Sequence, residues 1–386
     1  MLERAVGALE KGSSMADKDQ NKLTRRSFIR TAATGAVAAG AAPMLFSPRK
    51  AHGFAGGDTH PRISALRVVG VHDSNMTKEN QPRVSWDQQE KLVRWDTVQT
   101  NMDKLACTLA QEKDPEKAWR TIFVKPPGKS WSDVTVAIKT NHIFVQRTRS
   151  AVVSRVCTAL TNHVGVKPEH IFIYDACHGG NMSQKTPFEG LPEGTNLANK
   201  WGGYNKRVTV PEPYFDGTKK TECLDHLVQN DVDILVDIAL CKGHGMQFGG
   251  FTMSCKNHFG TFNPRPGHGK GGGADYLLGI NKTPHLLGEM DSKGNLKFPR
   301  QQLCIIDTLW GSERGPSGGT QVQPNRIFMG TLPAALDYQV ATKFRQDTMG
   351  WRINPGVTER FLTEFGLKPD DLPNDGKIID ALEYTA

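Results

Sequence analysis

Residues 134–175 read VTVAIKTNHIFVQRTRSAVVSRVCTALTNHVGVKPEHIFIYD, and this stretch decides the fold. Val134–Lys139 is a short apolar run. Arg147–His163 repeats its apolar residues at helical spacing, and a second apolar run, Ile171–Tyr174, follows Pro168. Strand, helix and strand in this order predict a β-α-β unit. Such units build parallel sheets covered by helices on both faces, which explains why these strands are apolar almost throughout and do not alternate.

Working outward, Leu66–Val71, Ile234–Leu240, Leu303–Ile306 and Arg326–Met329 read as further strands. Helices are expected over Val98–Gln111, Pro115–Phe123, Glu222–Gln229, Pro284–Met290, Pro333–Gln346 and Val357–Phe365. Gly179–Asn205 and Asn263–Gly273, rich in Gly, Pro and Asn, read as long loops or lids. The expected class is therefore α/β: a mostly parallel sheet flanked by helices, with long loops over the strand carboxyl ends. Three segments are expected: an export signal over residues 1–53, an extension over 54–130 packing on the core, and the α/β domain over 131–386.

The export signal rests on Lys22–Arg30, K-L-T-R-R-S-F-I-R, followed by the uncharged run Thr31–Phe46. A charged segment, then a modest apolar segment, then the small residues around Ala51-His52-Gly53 is the layout of a signal peptide cleaved near Gly53. Sixteen residues, mostly Ala and Gly, are too short and too weakly hydrophobic for a stable transmembrane anchor. Arg25 and Arg26 before Ser27-Phe28-Ile29 resemble the twin-arginine signals read by the Tat translocon, which carries folded cargo, so a periplasmic location is expected. Met15, just upstream, offers an alternative start that would leave out residues 1–14.

Of the formal charge of +8, a net +5 falls in residues 1–53, so the body is nearly balanced. It lacks the basic excess that neutralises a phosphate backbone, and nucleic acid is not an expected partner. Seven scattered cysteines contain no C-x-x-C pair, so neither a zinc ribbon nor an iron-sulfur cluster motif is encoded. Most lie in apolar contexts and read as small buried hydrophobes.

Four apolar runs end alike, with polar residues following at once: Lys139, Asn141 and His142; Asp175 and His178; Lys242 and His244; Asp307. In a parallel sheet all carboxyl ends share one edge, where α/β proteins bind ligands. Cys241–Gly260, C-K-G-H-G-M-Q-F-G-G-F-T-M-S-C-K-N-H-F-G, is the densest stretch, with Thr252 placed to cap a short helix bearing Lys256, Asn257 and His258. Lys242 and Lys256 suit an anionic group. His244 and His258 are candidate acid-base groups or, with His178, Asp175 or His268, ligands of a divalent metal, although the spacing fits no standard zinc motif. Asp175 and Asp307 would orient them. Two other matches carry little. Gly267–Gly272 fits G-x-G-x-x-G but follows a Pro-rich loop, and Gly315–Gly319 fits G-x-S-x-G but lies too far past its strand.

The strand end I-K-T-N, the I-Y-D after a helix, C-K-G-H followed by T-M-S-C-K-N-H-F-G, and the late I-I-D-T with G-P-S-G-G and A-A-L-D-Y resemble the family called domain of unknown function 362, from about Val134 to Arg345. The resemblance carries Asn141, Asp175, Lys242, His244, Lys256, Asn257, Gly260, Asp307 and Asp337 over as site residues, with Lys139, Asn141, Asn257 and Gly260 as cofactor-binding candidates. Gly243 stands where the family commonly has threonine, and Cys255 where it commonly has leucine. Many relatives carry an appended ferredoxin-like domain, which implies an iron-sulfur redox partner. Three functions are open at this point: a metal- or cofactor-dependent enzyme or cofactor-handling protein of redox metabolism, a binding protein for an anionic ligand or metal, and an assembly factor for an exported redox protein. Changing Arg25 and Arg26 together to Lys should leave uncleaved precursor in the cytoplasm, whereas the parent chain should begin near residue 54 in the periplasm. Equal export of both, read by fractionation and N-terminal sequencing, would rule the signal out.

Overall fold

The computed structural model describes residues 59–143, 145–175, 188–199, 204–292 and 295–384. The main sheet contains β1 (Val69–His72), β2 (Val136–Lys139), β3 (Ile171–Asp175), β4 (Asn196–Asn199), β7 (Ile234–Leu240), β12 (Gln301–Thr308), β13 (Arg326–Gly330) and β14 (Ile379–Asp380). Three two-stranded ribbons stand outside it: β5 (Tyr204–Thr209) with β6 (Lys220–Leu224), β8 (Lys242–Gly243) with β9 (Phe251–Thr252), and β10 (Gly288–Met290) with β11 (Leu296–Pro299). The main sheet runs β14-β1-β13-β12-β7-β2-β3-β4. β12, β7, β2, β3 and β4 are mutually parallel neighbours, and β13 alone opposes the common direction. This is the expected α/β class.

Both faces of the sheet are buried. Val136, Ile138, Ile171, Ile173, Ile234, Val236 and Ile238 join one core, beneath the helices Trp95–Ala110, Pro115–Ile122 and Ser150–Ala159. Ala137, Tyr174, Leu235, Ala239, Cys304 and Ile306 join the other, beneath Gly273–Asn281, Pro333–Gln339 and Pro355–Thr363. Two-sided burial removes the polar half of the usual strand alternation, as the sequence pattern implied. The segment before residue 131 does more than pack on this core, because β1 is a strand of the same sheet. Among the described residues no helix is long and apolar enough to cross a membrane. Residues 1–53, read above as an expected export signal, lie outside them, as does His178.

Several boundaries differ from the sequence reading. Glu222–Gln229 is not one helix: Lys220–Leu224 is β6, and only Asp225–Val228 is helical. Cys223, Leu224 and Leu227 satisfy both spacings, and pairing with β5 decides between them. The expected loop Gly179–Asn205 contributes β4, an edge strand beside β3 that its polar composition conceals. β12 begins two residues early, at Gln301 and Gln302, whose side-chain amides are paired with main chain. Helix Ser150–Ala159 starts after Arg149 and passes into a wider π turn, Leu160–Val164.

A buried ion pair fixes that helix start. Arg149 Nε lies 2.8 Å from Asp307 Oδ2 at the end of β12, both side chains are fully buried, and Arg149 N–H donates to the same carboxylate at 2.9 Å. Separating such a pair costs about 3–5 kcal/mol, because one charge is left without compensation. Asp307 is thereby committed to joining β12 to the helix.

Candidate functional site

β2 and β7 are parallel neighbours that place Lys139 beside Asp237, and β3 ends with Asp175 on the other side of β2. Lys139 is 1% exposed. Its Nζ donates to Thr140 O at 2.7 Å, Asp175 Oδ1 at 3.2 Å and Asn257 Oδ1 at 3.4 Å. The second Asp175 oxygen accepts from His142 N–H at 2.6 Å. Lys242, equally buried, donates to Asn141 Oδ1 at 2.8 Å, and Asn141 Nδ2 donates to Asn257 Oδ1 at 3.0 Å. A buried ammonium needs a charge partner and filled hydrogen-bond sites, and here the strand ends supply both.

Asn257 belongs to a single helical turn, Ser254–Asn257, laid against the sheet. Thr252 does not cap it, since Thr252 is the last residue of β9. The cap comes from Asp337, far along the chain, whose two oxygens accept from Ser254 N–H at 2.8 Å and Cys255 N–H at 2.9 Å. Asp237, in the middle of β7, accepts from Ser254 Oγ at 2.5 Å and Asn257 Nδ2 at 2.7 Å. Burial pushes its carboxyl up to about 7, with those hydrogen bonds and the Lys139 charge acting in the opposite sense. Burial likewise holds Asp337 well above the usual carboxylate range.

Gly243 and Gly260 have backbone reasons. A Cβ at Gly243 would stand 1.7 Å from Glu313 O, so no residue but glycine is accommodated with this main-chain approach. Gly260 has φ +136°, a conformation L side chains rarely adopt, and it tightens the chain after the turn.

A cavity of about 460 Å³ opens on this rim. Lys139, Asn141, Asp175, His244, Thr252 and Lys256 line it, joined by Phe259, Arg265 and His268. Lys256 Nζ sits 3.7 Å from the Phe259 ring centroid and 4.3 Å from that of Phe248, cation-π contacts that favour a charged ammonium. His244 packs edge-on against Phe248 at 4.7 Å and lies 5.8 Å from His268, centroid to centroid. Burial, followed by the Lys256 charge, lowers His244 to about 3, so its imidazole is neutral at ordinary pH. The buried hydroxyl of Thr252, a residue of the cavity wall, meets no hydrogen-bond partner among the described residues.

The structure thus gathers Lys139, Asn141, Asp175, His244 and Lys256 at one cavity, with Lys242 and Asn257 directly behind. It does not bring Asp307 there, for the reason given above. Nor does it bring His258, which is fully buried with Nδ1 against Thr261 Oγ1 at 3.2 Å and does not line the cavity. Among the described residues no three His, Cys, Asp or Glu side chains are grouped to hold a metal ion, so His244 and His258 do not form the expected shared ligand set. Asp237, Ser254, Phe259 and Arg265 are site or support residues that the sequence reading passed over, and Thr252, read there as a helix cap, lines the cavity instead. Asp237 carried a usable signal, an acid inside an otherwise apolar, doubly buried strand.

The model of the family described as Domain of unknown function (DUF362) matches residues 136–342, more than half of the chain. The chain belongs to the DUF362 family. No curated protein and no solved structure matches it. The DUF362 match runs from β2 through the Asp337 helix, and so contains the cavity and its supports.

The Asp237 carboxyl gives a pH test of this support. The folded state keeps its proton up to about 7, whereas the unfolded chain releases it near 3.8, so raising pH through this window favours unfolding. The parent chain should lose stability relative to Asp237→Asn between about pH 4 and 7, by on the order of 1.4 kcal/mol per pKa unit, and the difference should be flat above that. Urea denaturation across pH 4–8 reads it, and parallel curves for the two proteins would contradict the assignment.

Proposed function

We propose that this DUF362 protein is exported and that its rim cavity binds a small anionic molecule and carries out acid-base chemistry on it. One observation carries the reading: Lys256 and Arg265 line the same cavity as Thr252, whose buried hydroxyl meets no hydrogen-bond partner among the described residues. Two permanent cations favour a phosphate or carboxylate, and a buried hydroxyl lacking a protein partner is satisfied by a ligand oxygen. Among the described residues Arg265 is held in no ion pair; it is exposed at the mouth, where a guanidinium attracts and orients an anion. Asp175 does not cancel this field, because its charge is balanced by Lys139.

In this reading Lys256, fixed by two phenylalanine rings, is the anchor, and His244 is the neutral polar group beside the bound molecule. Lys139, Asn141, Lys242 and Asn257 form the rigid wall, and Asp237 and Asp337 hold that wall in place. A carrier that only captures the anion would need the cations and Thr252 but neither imidazole. The two imidazoles at the cavity favour chemistry over storage. An iron-sulfur partner, of the kind fused to many relatives, would belong to a later step in the same metabolism.

Isothermal titration of the mature chain with inorganic phosphate and with acetate tests the anion site. Binding of at least one is expected, with affinity falling roughly tenfold or more, about 1.4 kcal/mol, in Lys256→Gln and in Arg265→Gln. Binding of neither anion, or affinities unchanged in both variants, would overturn the reading.

A further inference from the structure

His268 is the second imidazole of the cavity, and its hydrogen bonds define its chemistry. Its Nδ1 lies 2.9 Å from Pro264 O, and a carbonyl can only accept, so the proton is on Nδ1. In the neutral ring Nε2 is then the acceptor, and it faces Lys256 Nζ, which can only donate, at 3.4 Å. His244 is arranged the other way round. Its Nδ1 receives the Gly245 N–H at 2.8 Å, so the neutral ring carries its proton on Nε2.

Both rings are held as firmly as the lysine between them. His268 packs on Phe248 at 5.4 Å and on Phe259 at 5.2 Å, the two rings that flank Lys256, and His244 shares Phe248. The main-chain anchors, Pro264 O and Gly245 N–H, cannot exchange roles. The cavity therefore presents one imidazole as a donor and its neighbour as an acceptor, with an ammonium alongside.

We infer that His268 and His244 form a catalytic pair of opposite tautomers, His268 taking a proton at Nε2 while His244 donates a hydrogen bond from Nε2–H to the oxygen that becomes negative. The substrate class that uses such a pair is a small anionic carbonyl compound. Lys256 Nζ first turns its N–H from His268 Nε2 to the carbonyl oxygen, which frees the Nε2 lone pair; His268 then removes the proton from the carbon next to the carbonyl, the C–H electron pair moves into the new C=C bond, and the carbonyl pair moves onto oxygen. That enolate oxygen is held by His244 Nε2–H and Lys256. Return of the proton from His268 closes the cycle, with nothing oxidised and no further reactant consumed. His244 stays neutral throughout, in line with its depressed basicity. The inference rests on the anion site proposed above.

The test uses the mature chain with ¹⁵N-labelled histidine, in two parts. Long-range ¹H–¹⁵N spectra at pH 7, with and without inorganic phosphate, should show His244 protonated on Nε2 and His268 on Nδ1, with both residues shifting as phosphate binds. Proton NMR in D₂O should then show accelerated deuterium entry at C3 of pyruvate, reduced by about 10²-fold or more in His268→Gln, an exposed position where folding is not at stake. Phosphate shifts with both rings in the same tautomer, or with either ring an imidazolium, overturn the pair and leave the anion site standing. Opposite tautomers without deuterium entry overturn the carbonyl chemistry alone. No response of either ring to phosphate, or to acetate in its place, overturns the anion site and the inference with it.

Discussion

Five adjoining strands, β12, β7, β2, β3 and β4, run in one direction, and this shared direction is the constraint on which the rest of the molecule depends. It brings their carboxyl ends to one edge, however far apart they are along the chain. It also creates a difficulty, because Lys139, Lys242 and Asp175 are buried there, with Asp237 buried mid-strand beside Lys139. Isolated buried charges cost several kcal/mol each, so the edge is stable only as a connected set. Asn257 makes the connection: one amide oxygen receives Lys139 and Asn141, and the amide nitrogen donates to Asp237. The turn Ser254–Asn257 is thus held to two strand ends at once, with Asp337 holding its amino end.

Much of the sheet was legible in the sequence because two-sided burial leaves long apolar runs. β7 coincides with its expected bounds, and the β-α-β unit around Ser150–Ala159 differs only where buried contacts set the ends. β4 was hidden because an edge strand of polar residues has no hydrophobic signature. Residues 222–229 were ambiguous by nature, since three apolar positions fit either period and only pairing with β5 resolves them.

The site was legible in outline for the same reason. Polar residues at the ends of apolar strands had to meet, and Lys139, Asn141, Asp175, His244 and Lys256 do. What the sequence could not reveal is which polar residues face the cavity and which face the protein. Asp307 and Asp175 look alike in sequence, each an acid closing an apolar run. One is consumed by Arg149, and the other reaches the cavity wall. His258 follows Asn257 directly, yet it turns beneath the chain, because one helical turn points successive side chains about 100° apart. Capping by Asp337 is a contact across some eighty residues and has no local signature.

Gly243 shows how the framework shapes the cavity from behind. The close approach of Glu313 main chain leaves no room for a Cβ there. The cavity itself combines a buried polar wall with an aromatic floor that carries Lys256 between Phe248 and Phe259. The account centres on that cavity as the place where an anion binds. A crystal structure of the mature chain grown with inorganic phosphate tests it most directly. The account requires phosphate within hydrogen-bond reach of Lys256 Nζ and Thr252 Oγ1, with the Lys139–Asp175 pair intact. Phosphate bound only elsewhere, or the Lys139–Asp175 pair opened to solvent, would contradict it.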